Sequence, residues 1–451
     1  MSLIKNTDEL LRNEYYEVII DLLEVGLRAA DPRLAVMRNV SLRGDTIVVR
    51  NQAFEVKGKV YVVGFGKASI KMGEGIEEVL GDLIDDGVLI APEVPHDIKL
   101  RKLKVLKGDH PIPGENTLRS TEEILNLIKR VSSDDLVFVL ISGGGSALFE
   151  KPMPPITLSD LKEMNKLLLR SGADIKEINT VRKHISMVKG GRLAELIYPA
   201  YTIALIVSDV VGDPIEFIAS GPTAPDTTTF RDAMSVLKYR GLWDKVPESI
   251  RVVIEKGVRG EMPETPKPNH RIFERVSNNI IASNIISLKA MEERARQLGY
   301  NSLVLTSMME GEAREIGKFL AGLAKHIAVY DEPIKKPAVI LLGGETTVTV
   351  RGDGIGGRNQ ELALSFAIYA KGLRNAIFAS IGTDGIDGVS DAAGAIVDGE
   401  TYSEALSKGI DLVDYLQRND SHTALRKLRR AIFTGYTGTN VNDIAVLLVS
   451  T

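Results

Sequence analysis

The stretch LVFVLISGGGSAL, residues 136–148, joins an unbroken apolar run to three consecutive glycines. The six apolar residues Leu136–Ile141 predict a buried strand. Three adjacent glycines are costly to order, which favours a loop whose backbone N–H groups surround an anion such as phosphate. A flexible surface loop is the alternative, and the apolar residues on both sides of the glycines disfavour it. The stretch therefore predicts a central strand with a ligand-binding loop at its carboxyl end.

The same pattern occurs at other places, where a short apolar run ends in glycine mixed with charged or hydroxyl residues. These are Val60–Val63 before GFGKAS, Ile203–Val207 before SDVVGD, Ala338–Leu342 before GGETT and Ile377–Ile381 before GTDGIDG. Ligands bind outside the carboxyl ends of the strands in open parallel sheets, so several such loops can meet at one pocket. Helical patterns between the runs predict parallel βαβ units and an enzyme of the α/β class.

The segment Val258–Arg271 holds three prolines and few apolar residues, which is typical of a domain boundary. We therefore expect an amino-terminal domain over residues 1–260 and a carboxyl-terminal α/β region over residues 261–451. Glu9–Ala30 has the spacing of a helix in the first, and Ile280–Leu298 is expected to be the first helix of the second.

The amino-acid composition excludes several classes of site and partner. The chain has 451 residues and no cysteine, which excludes a disulfide framework, a thiolate zinc site and a cysteine nucleophile. Its 56 basic residues are outnumbered by 60 acidic ones, which disfavours a nucleic-acid surface. We expect neither an export signal, because acidic residues interrupt the amino terminus, nor a membrane span. The protein is expected to be cytoplasmic and to act on small molecules.

Two glycine-containing loops are candidate phosphate sites. GFGKAS supplies Gly66 and the mobile charge of Lys67 at a strand-to-helix turn, where a helix amino terminus favours anions. It has neither Walker A spacing nor a complete dinucleotide fingerprint, and a tight turn with a solvated lysine is the alternative. The residues expected to surround phosphate in the other loop are Ser142, Gly143, Gly144, Gly145 and Ser146.

Charged residues between these loops and the second half are further candidates. NTVRKHISMVKGGRLA, residues 179–194, supplies Arg182 and Lys183, which are either anion contacts or a solvated face. His184 in the same segment is more often structural. Asp209 follows a buried run, where a carboxylate serves equally well as a magnesium ligand, a base or a helix cap.

The carboxyl-terminal half offers a second set of candidates. Arg358 lies in the first turn of a helix after a glycine-rich segment, where its fork can grip carboxylate or phosphate oxygens. Asp384 lies in GTDGIDGVSD, which lacks the features of a calcium-binding loop. Asn440 precedes the last strand and either lines a cleft or makes a turn.

Together these motifs resemble the glycerate kinases of the MOFRL type, also called class II glycerate 2-kinases. The resemblance covers nearly the whole chain. The motifs that carry it include VVGFGKAS, GDHPIPG, LISGGGSAL, SDVVGDP, ASGPTAPD, GDGIGGRNQELAL and TGTNVNDI. It implies a larger amino-terminal Rossmann-like three-layer α/β/α domain and a smaller carboxyl-terminal α/β MOFRL domain with a core at about residues 335–447. The active site would lie in the cleft between them.

The resemblance also implies a reaction and roles for particular residues. The reaction is the phosphorylation of D-glycerate by ATP with Mg²⁺ or another divalent cation, most often giving 2-phosphoglycerate. The family's essential lysine and arginine fall on Lys67 and Arg358. Asp209 and Asp384 are the candidate catalytic and metal-binding carboxylates, Asn440 a candidate nucleotide contact, and Arg182, Lys183 and Arg358 the candidate substrate contacts.

Three alternatives stay open. A glycerate 3-kinase would phosphorylate the other hydroxyl. An NAD-dependent hydroxy-acid dehydrogenase would use GFGKAS as a degenerate cofactor loop, although its third glycine is missing. A sugar-phosphate sensor would bind without turnover. The oligomeric state is also open, with a homodimer as one option.

Overall fold

The computed structural model describes residues 2–451. The chain forms two compact units, which we name by their position in the sequence. The central unit is Pro32–Ile281, and the terminal unit combines the residues up to Asp31 with Ala282–Thr451. The division expected from the sequence, 1–260 and 261–451, differs at both ends. The amino-terminal helices belong with the carboxyl-terminal unit, and residues 261–281 belong with the central one.

The elements alternate along most of the chain. The strands are β1 Val40–Arg43, β2 Thr46–Val49, β3 Gln52–Glu55, β4 Val60–Phe65, β5 Ile84–Ala91, β6 Leu103–Lys107, β7 Leu136–Ile141, β8 Tyr201–Val207, β9 Val276–Ala282, β10 Asn301–Met309, β11 Ala338–Gly344, β12 Ala376–Gly382, β13 Gly394–Asp398, β14 Ala431–Ile432 and β15 Asp443–Val449. The helices are α1 Thr7–Leu10, α2 Glu14–Ala29, α3 Pro32–Asn39, α4 Ser69–Leu80, α5 Glu115–Ile128, α6 Gly145–Leu148, α7 Leu158–Arg170, α8 Ile175–Ile185, α9 Arg192–Ile197, α10 Phe230–Tyr239, α11 Glu248–Val258, α12 Asn284–Gln297, α13 Ala313–Tyr330, α14 Arg358–Tyr369, α15 Thr401–Ser407, α16 Leu412–Gln417 and α17 Ser421–Lys427.

The main sheet of the central unit has the strand order β6-β5-β4-β7-β8-β9, and the pairs from β6 to β8 are parallel. Counted from β4, this is the 3-2-1-4-5-6 order of dinucleotide-binding folds. Every residue of β4 and β7 is buried, so both faces of the sheet are covered. The predicted Rossmann-like fold is confirmed.

The sheet of the terminal unit is mixed. Its order is β10-β11-β15-β12-β13-β14, and β15 runs antiparallel to both β11 and β12. Because β11 and β12 therefore run in the same direction, their carboxyl ends meet at one edge, where β15 begins. The predicted alternation of strands and helices holds here without an all-parallel sheet.

Alternating residues of β11 show that this sheet also has two covered faces. Ala338, Ile340 and Leu342 face one apolar cluster, which includes residues of α13 and α14. Val339 and Leu341 face a second cluster, to which α2 and α12 contribute. The apolar stripe of α2, which includes Tyr16, Ile19, Leu22, Leu23 and Leu27, covers this face, so the amino-terminal segment belongs to the terminal unit.

The strands that were predicted before each glycine loop are confirmed as β4, β7, β8, β11 and β12. One predicted helix is wrong at its start. Residues 280–282 end strand β9, and α12 begins only at Asn284. Within residues 2–451, no helix combines the length and apolar character needed to cross a lipid bilayer.

Candidate active site

The carboxyl edge of the central sheet collects most of the predicted residues of this unit. The strand order reverses between β4 and β7, because the connection from β4 leads outward to β5 and that from β7 leads outward to β8. The loops that follow β4 and β7 hold Lys67 and the glycines 143–145. In open α/β sheets ligands bind at this switch point.

Hydrogen bonds join these two loops. The Lys67 N–H donates to the Gly143 carbonyl at 2.9 Å, and the Ala68 N–H donates to Ser142 Oγ at 3.1 Å. Gly66 has a φ of +130°, and a Cβ there would lie 2.1 Å from Ser142 Oγ. Only glycine allows this close approach. The loops are therefore held together through the backbone and not through the lysine side chain.

The Lys67 side chain is exposed, and within the described part of the chain it forms no ion pair. Helix α4 begins two residues later, and no side chain caps its first turn among the described residues. The first amides of a helix favour negative charge when they lack such a cap. A mobile cation and a helix amino terminus thus lie side by side, which is an arrangement suited to phosphate.

Asp209 follows β8, the next strand of the sheet, and packs against the glycine loop. A Cβ on Gly143 would lie 2.1 Å from Asp209 Oδ2, so the carboxylate rests on the backbone of this residue. Asp209 is half-buried. Gly143 therefore contacts the carboxylate on one side and accepts the hydrogen bond from Lys67 on the other.

A cavity of about 170 Å³ lies beside the glycine loop, and its polar lining consists of His110, Ser146, Glu150, Asn165 and Arg182. This volume is smaller than the pockets that hold drug-sized ligands. The Nε of Arg182 donates to Asn165 Oδ1 at 2.8 Å. Within residues 2–451, no carboxylate forms an ion pair with this guanidinium. Its terminal nitrogens are therefore available to a small acid in the cavity.

A segment with a strained backbone, residues 219–220, packs against the glycine loop. Ala219 and Ser220 both have left-handed conformations, with φ of 50° and 62°. Such strain persists where surrounding contacts fix the backbone. Ser220 Oγ donates to Asn179 Oδ1 at 2.7 Å and lies 2.9 Å from Ser146 Oγ, while a Cβ on Gly145 would lie 2.7 Å from Ala219 Cβ. These contacts fix the hydroxyl of Ser146 at the cavity.

Lys183 and His184 lie on the buried side of α8, away from the cavity lining. The Lys183 ammonium pairs with the buried Asp226, at 3.4 Å between Nζ and Oδ1. His184 Nδ1 lies 2.7 Å from the Thr180 carbonyl, and its Nε2 lies 3.2 Å from Glu264 Oε2. Both side chains hold the helix that carries Arg182.

In the terminal unit, Arg358 is the first residue of α14 and is gripped by two acidic side chains. Its Nε and Nη2 donate to Asp443 at 2.6 and 3.0 Å, and its Nη1 donates to Glu345 at 2.6 Å. Burial raises the pKa of Asp443 to about 6 in spite of these hydrogen bonds. Although burial acts to lower it, the hydrogen-bonded Asp443 carboxylate raises the pKa of Arg358 above its ordinary value. A guanidinium has five N–H donors, so two remain for a ligand.

Asp384 and Asn440 lie next to this cluster. A Cβ on Gly382 would lie 3.2 Å from Asp384 Oδ1 and 3.6 Å from Asp443 Oδ1, which places the two carboxylates beside the same residue. Asn440 Oδ1 accepts from the Asn442 N–H at 3.0 Å. The structure thus groups Arg358, Asp384 and Asn440 at one edge of the terminal sheet.

A buried carboxylate fixes the start of α14. Asp387 accepts from the N–H groups of Asn359 and Gln360 at 3.0 and 2.8 Å. It also accepts from the two side-chain amides, at 3.3 and 2.9 Å. Burial raises its pKa despite these hydrogen bonds. Because these bonds satisfy the first amides of the helix, the position of Arg358 is set by Asp387.

Sequence reasoning assigned no specific role to four residues that the structure places at these sites. They are His110, Glu345, Asp387 and Asp443. Glu345 comes directly after β11 and His110 lies in the loop after β6, so the rule that chemistry follows a strand could have found both. Asp443 begins β15 and points to Arg358 only because β15 is antiparallel to its neighbours, which the sequence does not reveal.

Known proteins resemble this chain over most of its length. One family model, described as the domain of unknown function DUF4147, matches residues 18–255, and the MOFRL family model matches residues 338–443. A glycerate 2-kinase of Pyrococcus horikoshii is 46% identical over 441 residues, which cover 96% of this chain and 98% of that protein. A D-glycerate 2-kinase of Thermotoga maritima is 42% identical over 393 residues, which cover 87% and 91%.

A solved structure agrees with these relatives. The crystal structure of a glycerate kinase from Thermotoga maritima matches with a TM-score of 0.85 at 39% identity, covering 96% of this chain and 99% of that one. The fold, the order of the two matched regions and the extent of identity therefore lead to one conclusion. This protein belongs to the family of MOFRL-type glycerate kinases.

Proposed function

We propose that this protein transfers the terminal phosphoryl group of ATP to the 2-hydroxyl of D-glycerate, giving 2-phosphoglycerate and ADP. Relatives named as glycerate 2-kinases support this activity. The structural observation that carries it is the pairing of two loops at the switch point of a Rossmann-like sheet, which set Lys67 and glycines 143–145 beside a small cavity lined by Arg182. The loops suit phosphates and the cavity suits a small acid.

The nucleotide phosphates are proposed to lie at the paired loops. Phosphoryl transfer depends on positioning and on neutralising the charge of the transferring group. Lys67 supplies a positive charge, and the proposed backbone contacts are at Gly66 and in the segment from Ser142 to Ser146. Asp209 packs against the same loop, so its carboxylate is placed to orient a group that is bound to the phosphates.

D-Glycerate is proposed to bind in the cavity, with its carboxylate on Arg182. Two parallel hydrogen bonds from a guanidinium suit a carboxylate, and because Nε is bonded to Asn165 and no described carboxylate pairs with Arg182, the terminal nitrogens Nη1 and Nη2 remain for this contact. Lys183 is proposed to contribute indirectly, because its pair with Asp226 holds α8 in place. The hydrogen of Ser146 Oγ is donated to Ser220 Oγ, because Ser220 donates its own to Asn179, so Ser146 is placed to accept from a substrate hydroxyl.

The terminal unit is proposed to contribute Arg358, Asp384 and Asn440. Arg358 would neutralise charge on the phosphoryl group or hold the substrate carboxylate with its two remaining donors. Asp443 and Glu345 keep its guanidinium in one orientation, so the charge would act without reorganisation. Asn440 is proposed as a nucleotide contact.

A divalent cation is also proposed. Across the described residues, no group of three or more His, Asp or Glu side chains forms a metal cage. Mg²⁺ in kinases is usually held by one or two carboxylates together with the phosphates, so such a cage is not needed. Asp209 and Asp384 are half-buried single carboxylates that fit this role. When bound, the cation neutralises phosphate charge and aligns the transferring group.

The test is to incubate the protein with D-glycerate and ATP labelled in the terminal phosphate, with and without Mg²⁺, and to identify the product by phosphorus NMR. Coupling of phosphorus to one proton identifies 2-phosphoglycerate, and coupling to two protons identifies the 3-phosphate. L-Glycerate is the substrate control. The proposal fails if no label is transferred, or if D-glycerate instead reduces NAD. A 3-phosphate product would refute the 2-hydroxyl as acceptor.

A further inference from the structure

The loop GDHPIPG after β6 lies at the same edge of the sheet as the glycine loops, and the roles above do not use it. His110 in this loop is half-buried and lines the cavity together with Arg182 and Ser146. Its neighbour Asp109 points elsewhere, because its carboxylate accepts from the N–H and side-chain amide of Asn116 at 2.9 and 2.8 Å. The imidazole is therefore the titratable group of this loop that faces the cavity.

The ring of His110 and the side chain of Lys67 both lie close to Gly144 of the glycine loop. A Cβ on Gly144 would lie 3.0 Å from both Nε2 and Cδ2 of His110, and 3.4 Å from Cγ of Lys67. Gly144 has a φ of +80°, so glycine is needed here for its backbone as well as for the ring. Within residues 2–451, neither ring nitrogen of His110 has a hydrogen-bond partner.

The other candidate base in the cavity is already engaged. Glu150 accepts from Ser186 Oγ at 2.5 Å and pairs with the buried Lys189 at 3.0 Å. Both oxygens of this carboxylate are therefore occupied by protein donors. The imidazole, in contrast, has no competing partner in the described chain, so its ring nitrogens are available to a ligand in the cavity.

We propose that His110 accepts the proton of the attacking 2-hydroxyl of glycerate, an inference that rests on the proposed kinase function. The hydroxyl oxygen forms a bond to the terminal phosphorus of ATP, and the bond from that phosphorus to the bridging oxygen breaks. The electron pair of the broken bond leaves with ADP. The hydroxyl proton passes to a ring nitrogen of His110 and then to water.

The charges around the ring favour this role. Burial, together with the positive charge of Lys67, lowers the pKa of His110, so the imidazole is neutral at pH 7 and can take a proton. The other charged groups that line the cavity are Arg182, a cation, and Glu150, which is neutralised by Lys189. A neutral imidazole beside the reacting hydroxyl is suited to general-base catalysis.

The test compares His110→Ala and His110→Gln with the native enzyme in a steady-state assay with D-glycerate and ATP, after folding is checked by circular dichroism. We expect kcat to fall about 100-fold or more in both variants, the scale of removing a positioned base. The KM for ATP is expected to change by less than about threefold, because the nucleotide contacts remain. His326→Ala, on the exposed face of α13, is the control with native kcat.

The pH profile separates a base from a structural role. In the native enzyme log kcat falls on the acid side as His110 is protonated, and in His110→Gln this fall loses one unit of limiting slope. The inference is overturned if either folded variant keeps kcat within about threefold of native, or if the acid slope is unchanged in His110→Gln. No transfer by the native enzyme would instead refute the kinase function itself.

Discussion

Replacing Lys67 by alanine separates the catalytic role proposed for this residue from any role in folding. The side chain is exposed and, among the described residues, has no ion pair. The loop is held instead by the N–H groups of Lys67 and Ala68, and the substitution leaves both in place. We therefore expect the free energy of unfolding to change by no more than about 0.5 kcal/mol.

The expected effect on the rate follows from the charge. A unit charge about 4 Å from the phosphoryl oxygens contributes about 4 kcal/mol at an effective dielectric constant of about 20. Solvent around the exposed ammonium reduces this value, so we expect a loss near 2.7 kcal/mol, which is about 100-fold in kcat. The assay couples ADP formation to absorbance and gives kcat and both KM values, and urea denaturation of the same samples gives the stability.

A matched control is available on the same unit. Lys245 is exposed and, within residues 2–451, forms no ion pair, so Lys245→Ala removes the same charge at another position. Its kcat should equal that of the native enzyme. The reasoning is refuted if Lys67→Ala retains a near-native kcat, or if its activity is lost only to the extent that its stability is lost.

Three further predictions concern the cavity and the arginine cluster. Arg182→Lys should raise the KM for D-glycerate about tenfold or more, because an ammonium cannot form two parallel hydrogen bonds to a carboxylate. The KM for ATP should not change. The control is Arg231→Lys, at an exposed arginine. Gly144 and Gly172 have φ of +80° and +69°, so Gly144→Ala and Gly172→Ala should each lower the free energy of unfolding by about 1 kcal/mol. Only the new methyl group at residue 144 would contact an imidazole, that of His110, so only Gly144→Ala should lower kcat, by about tenfold. Asp443, with a pKa of about 6, is charged at pH 7 and becomes protonated as the pH falls. The kcat/KM of the native enzyme should therefore decline below pH 6. Asp443→Asn should lack the part of this decline that is due to Asp443. The ordinary value for aspartate is near 4, so between about pH 4 and 6 protonation of this group favours the folded state, and circular dichroism should show no unfolding there.

The strands were predictable where burial alone decides the pattern. Strands β4, β7 and β8 are covered on both faces, so they read as continuous apolar runs. Strand β9 was missed because it buries polar side chains. Ser277 donates to Gln52 at 2.5 Å and Asn279 donates to Ser277 at 3.0 Å, so tertiary hydrogen bonds satisfy residues that look unsuited to a buried strand.

The amino-terminal helix shows a second limit of the sequence. The apolar stripe of α2 predicts a helix that packs on something, but it does not say on which sheet. The choice depends on partners far along the chain. The Tyr16 hydroxyl donates to Asp398 at 2.5 Å and accepts from the buried Arg430 at 2.7 Å. These polar contacts, separated by about 400 residues in sequence, could not be read from local pattern.

The candidate site also has features that the local sequence predicts and features that depend on distant residues. Glycine-rich loops after buried runs were predictable, because local backbone requirements leave a mark in the sequence. The lowered pKa of His110 depends on burial and on Lys67, which lies in a different loop. The local sequence, one histidine beside prolines, predicts neither its burial nor its proximity to Lys67. The structure supplies the neighbours, and only the neighbours give this residue a role.

Arg358 shows how the sequence can select a candidate residue without revealing the geometry of its side chain. The sequence predicts that its fork grips a ligand, yet the structure places the Nε and Nη2 side of the fork on Asp443. A ligand can meet only the donors that remain, so its contact with Arg358 is weaker in hydrogen bonds than the sequence suggests. What the acidic pair adds is orientation, because a guanidinium fixed before the reaction stabilises developing charge without first being ordered. In the role proposed for Arg358, the Asp443 carboxylate thus orients the guanidinium before the anion binds, and we expect protonation of Asp443 to weaken this orientation.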